Sequence, residues 1–325
     1  MTVRRSGRWS GRWSGRLDRA AGLALNLYTV LVYVFLFTPI VIVVIFSFNA
    51  GRHASEFLGF SPRWYQAAWT NPFVLKALGN SLSVAATTAA LATVAGTLSA
   101  LAMPALGRRG RTVFEQLTYI AIIVPGIVIG IATLIFLVTA FNWLNPWLAY
   151  LTGGSAVALG LGKYTIIAAH SLFTMAIVNV LVRTRMQSAD RTLVEASGDL
   201  YATPFRTFVE ITLPQLLPAI IAGALLSFTF SFDDFIVAFF TSGQDQTLPI
   251  YLFSSIRRGV TPEVNAIATV LLAVTITMMV VAGLLLRGRG GRGSRRRRRE
   301  APIEPALPVP AVDRASAVRP EVNAS

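Results

Sequence analysis

Residues 187–214 read QSADRTLVEASGDLYATPFRTFVEITLP, a polar and patterned stretch set between two long apolar runs. Thr192-Leu-Val-Glu195 has the form of a capping box, in which the Thr hydroxyl caps the amide three residues on and the Glu side chain reaches back. The box predicts a short helix over Leu193–Tyr201. Thr203-Pro204 ends it, because the residue before proline avoids the α region. Pro204 then suits the first position of a second short helix, running to about Glu210. Thr212-Leu213-Pro214 restarts helix into the next apolar run. The segment reads as a helix–turn–helix on one face of a membrane, with Leu193, Leu200, Phe205 and Phe208 offered as contacts to something else.

The membrane follows from what surrounds this segment. Only 14% of the residues are charged and 54% are hydrophobic, whereas a soluble domain carries about 25% charged residues. Six stretches are long and apolar enough to cross a hydrocarbon core of about 30 Å, which takes about 20 helical residues. They are Leu23–Phe48, Ser81–Met103, Val113–Phe141, Thr165–Val182, Gln215–Phe240 and Ala266–Leu286. The fold class is therefore all-α, a polytopic membrane protein of about six transmembrane helices.

Arginines set the orientation. The Lys and Arg residues of the two ends and of the loops around Arg108 and Arg191 number 23, against 6 in the alternate loops. Positive charge is retained on the cytoplasmic side, so both termini are expected in the cytoplasm, and an even number of spans agrees. The net charge of +14 is a topology signal rather than a nucleic-acid surface, because the arginines lie between apolar runs instead of on a polar fold.

The ends are different in character. Residues 1–22 repeat Ser-Gly-Arg-Trp and are expected to be a disordered basic tail, with Trp9 and Trp13 resting at lipid headgroups. Residues 287–325 are Arg-rich and then Pro/Ala-rich, and disorder is expected there too. Residues 23–79 hold the first span and an external loop. Small residues at Ala92, Gly96 and Ala100, and at Gly126 and Gly130, allow close helix packing in lipid.

Several chemistries are excluded. The chain has no cysteine, which removes disulfides and thiolate metal sites. His53 and His170 have no partner at ligand spacing, and His170 reads as a packed bundle residue. Gly160-Leu-Gly162-Lys163-Tyr164 lacks the first Gly and the Ser or Thr of a phosphate-binding loop. No Ser/His/Asp set stands on a common face, which counts against an intramembrane enzyme. No internal repeat with broken helices marks an ion-driven carrier.

With these residues in view, the loop resembles that of binding-protein-dependent ABC importer permeases. Glu195-Ala196-Ser197, Tyr201 and Ile211-Thr212-Leu213-Pro214 stand where that family has Glu-Ala-Ala, a Gly six after the Glu, and Ile-x-Leu-Pro. Ser197 replaces Ala, and Tyr201 replaces the Gly, which moves the expected bend to Ala202–Pro204. Other stretches resemble the spermidine/putrescine branch: Phe37-Thr-Pro-Ile-Val-Ile with Phe46-Ser-Phe-Asn49, Gly59-Phe-Ser-Pro-Arg-Trp-Tyr65, Ser231-Phe-Asp-Asp-Phe235, and Gly259-Val-Thr-Pro-Glu-Val-Asn-Ala266.

The resemblance implies that residues 80–286 form an ABC permease domain and that the loop is a coupling helix seated in a groove of an ATPase subunit. It implies no enzyme activity in this chain, with ATP and Mg bound by the partner ATPase dimer. It also implies a second, homologous permease subunit, an extracytoplasmic solute-binding protein, and a place in the bacterial cytoplasmic membrane. The solute it implies is a cationic polyamine; the next reading is a permease for an inorganic anion or iron complex. Asp233 and Asp234 would lie on the solute path. An acidic side chain at mid-membrane costs about 2.5–3.5 kcal/mol, and Asp233 falls roughly 28 Å beyond Pro214 at helical rise, toward the outer mouth. On a continuous helix the two carboxylates would point about 100° apart, one toward the cavity and the other toward a neighbouring helix; the alternative is a local helix break at which both satisfy backbone amides.

Overall fold

The computed structural model describes residues 11–52, 56–154 and 158–294; Trp9, His53, Ser155 and the tail beyond Ser294 lie outside the described residues. Twelve α-helices follow in order: α1 (Gly11–Phe46), α2 (Arg63–Thr70), α3 (Pro72–Ala102), α4 (Arg108–Ile123), α5 (Gly126–Leu151), α6 (Lys163–Gln187), α7 (Arg191–Asp199), α8 (Pro204–Thr207), α9 (Leu213–Asp233), α10 (Ile236–Thr241), α11 (Leu248–Arg258) and α12 (Pro262–Ser294). Among the described residues the only extended pairing is the bridge between Asn49 and Phe60. Six segments are long and apolar enough to cross a bilayer: Ala21–Phe46, Pro72–Ala105, Gly126–Leu151, Lys163–Gln187, Pro204–Asp233 and Pro262–Val281.

These correspond to the six expected spans, with the start of the second moved back to Pro72 and both ends of the third and fifth moved. The third is broken at Val124–Pro125. Val124 is extended, with ψ 131°, as residues preceding proline favour, and Pro125 cannot donate to the helix ladder. The crossing helix is therefore α5, which continues past the expected Phe141 through Trp143 and Trp147 to Leu151. The fifth span starts earlier than Gln215 and stops at Asp233 instead of Phe240. At the two ends, Gly11–Ala20 belong to α1 and Arg287–Ser294 to α12, where disorder was expected. Extending a formed helix adds a hydrogen bond for each residue fixed, without a new nucleus.

Residues Met1–Leu286 form one compact unit and Arg287–Ser325 a second. The core of the first is built by α3, α6 and α9. Val178 of α6 is the wedge between them. A Cβ at Gly96 of α3 would stand 2.7 Å from Val178 Cβ and 2.8 Å from the Met175 carbonyl; one at Gly223 of α9 would stand 3.2 Å from Val178 Cγ1. Ala92 and Ala100 are likewise buried, so the small-residue row of α3 lies in the helix contact and lets the backbones close. Gly130 does the same for α5, where a Cβ would meet the Phe240 ring at 2.8 Å. By contrast, α1 is exposed along almost all of its described length.

Two of the stretches singled out in the sequence prove to be one structure. Phe46–Asn49 and Gly59–Tyr65 fold together beyond α1. Ser47 Oγ lies 2.6 Å from the Tyr65 hydroxyl, and the Trp64 indole donates to the Asn49 carbonyl at 2.8 Å. The Asn49 side chain accepts from the amides of Gly51 and Leu58 and donates to the Glu56 carbonyl. Phe48 stacks on Phe60 at 4.9 Å.

A candidate coupling loop and a carboxylate break joined by one helix

The loop after α6 is fastened at its base. Arg185 Nε donates to the Gln215 carbonyl at 2.9 Å, and the Gln215 side chain accepts from the Asp190 amide at 3.0 Å. One residue thus ties the end of α6, the start of α7 and the first turn of α9. Asp190 caps α7: its carboxylate accepts from the Thr192 amide at 3.0 Å and from the Thr192 hydroxyl at 2.7 Å. The expected capping box of Thr192 and Glu195 is therefore not formed. An aspartate two residues upstream is the better acceptor and takes the threonine hydroxyl as a donor. Glu195 is left exposed, and its side chain makes no hydrogen bond among the described residues.

The bend stands at Tyr201, not at Ala202–Pro204. Tyr201 has φ +58° and is the only described non-glycine residue with positive φ. The Tyr201 amide donates to Gly198 and the Ala202 amide to Ser197, which is the paired closure of a Schellman motif. These two bonds hold the tyrosine in the left-handed region that glycine enters freely. Its side chain is 96% exposed. Ser197 is buried, and its Oγ reaches the Val194 carbonyl at 2.7 Å and Thr207 Oγ1 at 3.0 Å. The hydroxyl that distinguishes it from alanine locks α7 onto α8.

Pro204 opens α8 behind Thr203, as expected, but no break follows at Thr212. Phe208–Thr212 form a π-helical turn that runs directly into α9. Pro214 would otherwise press on the carbonyl four residues before it, and a wider turn relieves that contact. Ile211 and Leu213 are half-buried, while Ala196 and Pro214 are exposed. Leu193, Leu200, Phe205 and Tyr201 are all exposed apolar side chains on this hairpin.

The other end of α9 is the second candidate site. Asp233 is its last residue, and Asp234 is extended with ψ 122°. The pair thus sits at a helix break, not on continuous helix. Asp234 Oδ2 accepts from the Ala238 amide at 3.0 Å, satisfying an open donor in the first turn of α10. The same oxygen lies 3.2 Å from His170 Nε2, and His170 Nδ1 lies 2.8 Å from Ser231 Oγ. His170 is fully buried. Asp233 is exposed, and its carboxylate meets no donor from another residue among the described residues.

Ser231, His170 and Asp234 are a Ser/His/Asp set that the sequence had not placed together. Ser231 is 4% exposed, so its Oγ is closed to an outside substrate, and the set acts as a polar pin between α6 and the end of α9. Its signal was a histidine and a serine on apolar helices, each needing a buried partner. Gln215 and Asp190 were also missed; Asp190 had a legible signal, as a capping residue directly before a helix. The loop at Gly162 holds no phosphate geometry: the Lys163 amide donates to the Asp245 carboxylate at 2.9 Å. Among the described residues no cluster of His, Asp and Glu could hold a metal ion.

The chain is thus a bundle of helices long and apolar enough to cross a membrane, with a helical hairpin at the foot of one of them. Residues 92–288 match the family described as the inner membrane component of binding-protein-dependent transport systems, and the chain belongs to that family. It is 38% identical over 263 residues to the putrescine transport system permease protein PotI of Escherichia coli (strain K12), covering 80% of this chain and 90% of that one. It is 34% identical over 264 residues to the spermidine/putrescine transport system permease protein PotC of Haemophilus influenzae, covering 81% and 96%. A bacterial ABC transporter that imports the acidic polysaccharide alginate has a similar fold, with TM-score 0.67 at 14% identity over 86% of this chain and 99% of that one.

Proposed function

We propose that this chain is one of two permease subunits of an ATP-driven importer for a polyamine. The observation that carries the reading is the rod Pro204–Asp233, which joins an exposed hairpin to a carboxylate break. At 1.5 Å per residue the segment is about 45 Å long; it is helical throughout, with a π turn at Phe208–Thr212 and Pro218 within it, so the hairpin and the Asp233–Asp234 break are joined by one helical segment with no intervening loop. The hairpin offers apolar side chains and the unpaired Glu195 to an ATPase subunit, which would hold the ATP and Mg. Asp233 offers an uncompensated carboxylate to the solute. A carboxylate attracts an ammonium group and repels an anion, and the relatives named for putrescine and spermidine agree with that chemistry.

In this reading Glu195, Ala196, Ser197, Tyr201, Ile211, Leu213 and Pro214 form the coupling element, and this chain has no catalytic role. A solute-binding protein delivers from outside, and both termini lie in the cytoplasm. The test is charge reversal at Glu195 in the assembled transporter. Glu195→Lys lowers uptake and retention of the ATPase subunit, while the binding protein's affinity for solute stays the same. Normal uptake by a normally assembled Glu195→Lys complex would overturn the coupling role. Orientation is read separately: cysteines at Ser61 and Ser155 label with an impermeant reagent in intact cells, and one at Gly110 does not.

A further inference from the structure

The end of the bundle that bears α7 contains an open cleft of ≈ 270 Å³, walled by Met103, Arg111, Arg183, Met186, Gln187 and Arg191. The three guanidiniums come from the start of α4, the end of α6 and the start of α7. Glu115 is the one carboxylate paired with any of them among the described residues; it binds Arg111 at 3.0 Å and also Arg183. Arg191 makes no ion pair among the described residues. Three positive groups therefore face one negative group, and the cleft keeps a positive excess.

The lining is also apolar in part, from Met103 and Met186. α3 ends at Ala102 and α6 at Gln187, so the cleft lies where helices leave the hydrocarbon, at the depth of headgroups. Basic pockets between membrane helices suit anionic headgroups. A free anion would satisfy the guanidiniums but leave the half-buried Met186 against water; Met103 is already buried. A phospholipid satisfies both parts of the lining, with its phosphate on the arginines and its glycerol end and first acyl carbons on Met186. We propose that this cleft binds the phosphate of an anionic phospholipid. The bound lipid ties α7 to α4 and α6 at once, which stiffens the base of the hairpin. The proposal does not depend on the identity of the solute.

The experiment compares the assembled transporter in nanodiscs of phosphatidylcholine with or without a minor fraction of phosphatidylglycerol, read by native mass spectrometry. The wild type retains phosphatidylglycerol and not phosphatidylcholine. Removing two arginines as Arg111→Gln with Arg191→Gln weakens retention about thirtyfold, from about 1 kcal/mol for each basic residue at the surface. The matching Lys pair keeps most of it. If the double Gln variant fails to assemble, Arg191→Gln alone, at an exposed and unpaired site, carries the comparison. Equal retention in wild type and the Gln variants overturns the proposal. So does displacement of lipid by millimolar inorganic phosphate, which would mark a free-anion site. Loss of the ATPase subunit with lipid retention unchanged overturns it in favour of a protein contact.

Discussion

His170 Nε2 on α6 stands 3.2 Å from Asp234 Oδ2 at the end of α9, and the same oxygen holds the Ala238 amide of α10. One carboxylate thus caps the restart of its own chain and stands beside the histidine of the neighbouring helix, whose Nε2 makes no hydrogen bond among the described residues. His170 completes the arrangement through Ser231, so that a break within an apolar bundle has its polar groups gathered in one place. In a low-dielectric surrounding such a network is stable only when its members are kept together.

His170→Ala therefore leaves the buried Ser231 hydroxyl without its histidine partner. A buried polar group without a partner costs about 1–3 kcal/mol. The expected result is less assembled complex and a lower unfolding midpoint. His170→Gln, whose amide can still face Ser231 or Asp234, recovers part of the loss. Thermal unfolding of the purified complex, with yield measured beside it, checks the pair. Equal stability of the Ala variant and the wild type would mean that the pin carries no energy.

The contact of α3 and α9 with Val178 gives a test with opposite outcomes at two glycines. At Gly223 an added Cβ meets only the methyl ends of Val178 closely, at 3.2 and 3.3 Å. At Gly96 it meets Val178 Cβ and the Met175 carbonyl, at 2.7 and 2.8 Å. Overpacking a tight contact costs about 1–3 kcal/mol. Val178→Ala removes the methyls but neither the Cβ nor the carbonyl. Hence Val178→Ala rescues Gly223→Ala and does not rescue Gly96→Ala. A double-mutant cycle on unfolding midpoints reads the difference.

How far the sequence reaches can be seen at these same places. The spans, the small-residue row of α3 and the hairpin after α6 rest on local rules, namely apolar length, spacing and proline sterics, and those rules need no knowledge of neighbours. Proline also marks the break at Val124–Pro125, but a continuous apolar run hid it. The His170–Ser231–Asp234 pin joins residues far apart in the chain, and no spacing rule connects α6 with the end of α9. Asp190 was passed over because Thr192 and Glu195 offered a familiar cap two residues on. Glu195 then lost its local role, and its exposure became the more informative fact.

At Tyr201 the backbone conformation gives a third prediction. A non-glycine residue in the left-handed region costs roughly 1–2 kcal/mol, and the two Schellman bonds at Ser197 and Gly198 hold it there. Glycine and asparagine both accept this position, so Tyr201→Gly and Tyr201→Asn keep the hairpin and its ATPase partner. Tyr201→Val puts a branched carbon into the same conformation, and it lowers retention of the ATPase subunit on affinity purification. Should the Val variant retain the ATPase as well as the Asn variant does, docking does not depend on this bend.

The two aspartates should separate cleanly, because their surroundings differ. Asp234 is committed to the Ala238 amide and to His170, while Asp233 is exposed with no partner from another residue among the described residues. Asp234→Asn keeps a carbonyl oxygen for Ala238 and preserves most of the folded complex; Asp234→Ala removes the acceptor and lowers its amount. Asp233→Asn leaves the break untouched, so the complex assembles normally. On the proposed solute path, what it removes is a charge-assisted hydrogen bond to an ammonium group, worth about 1.5–3 kcal/mol, and the expected result is polyamine uptake lowered about tenfold or more. Uptake of radiolabelled putrescine and spermidine, normalised to assembled complex, distinguishes the two residues. Wild-type uptake by Asp233→Asn would remove this carboxylate from the solute path and with it the electrostatic argument for a cationic solute. Loss of complex in Asp233→Asn would instead assign the residue to the break beside Asp234.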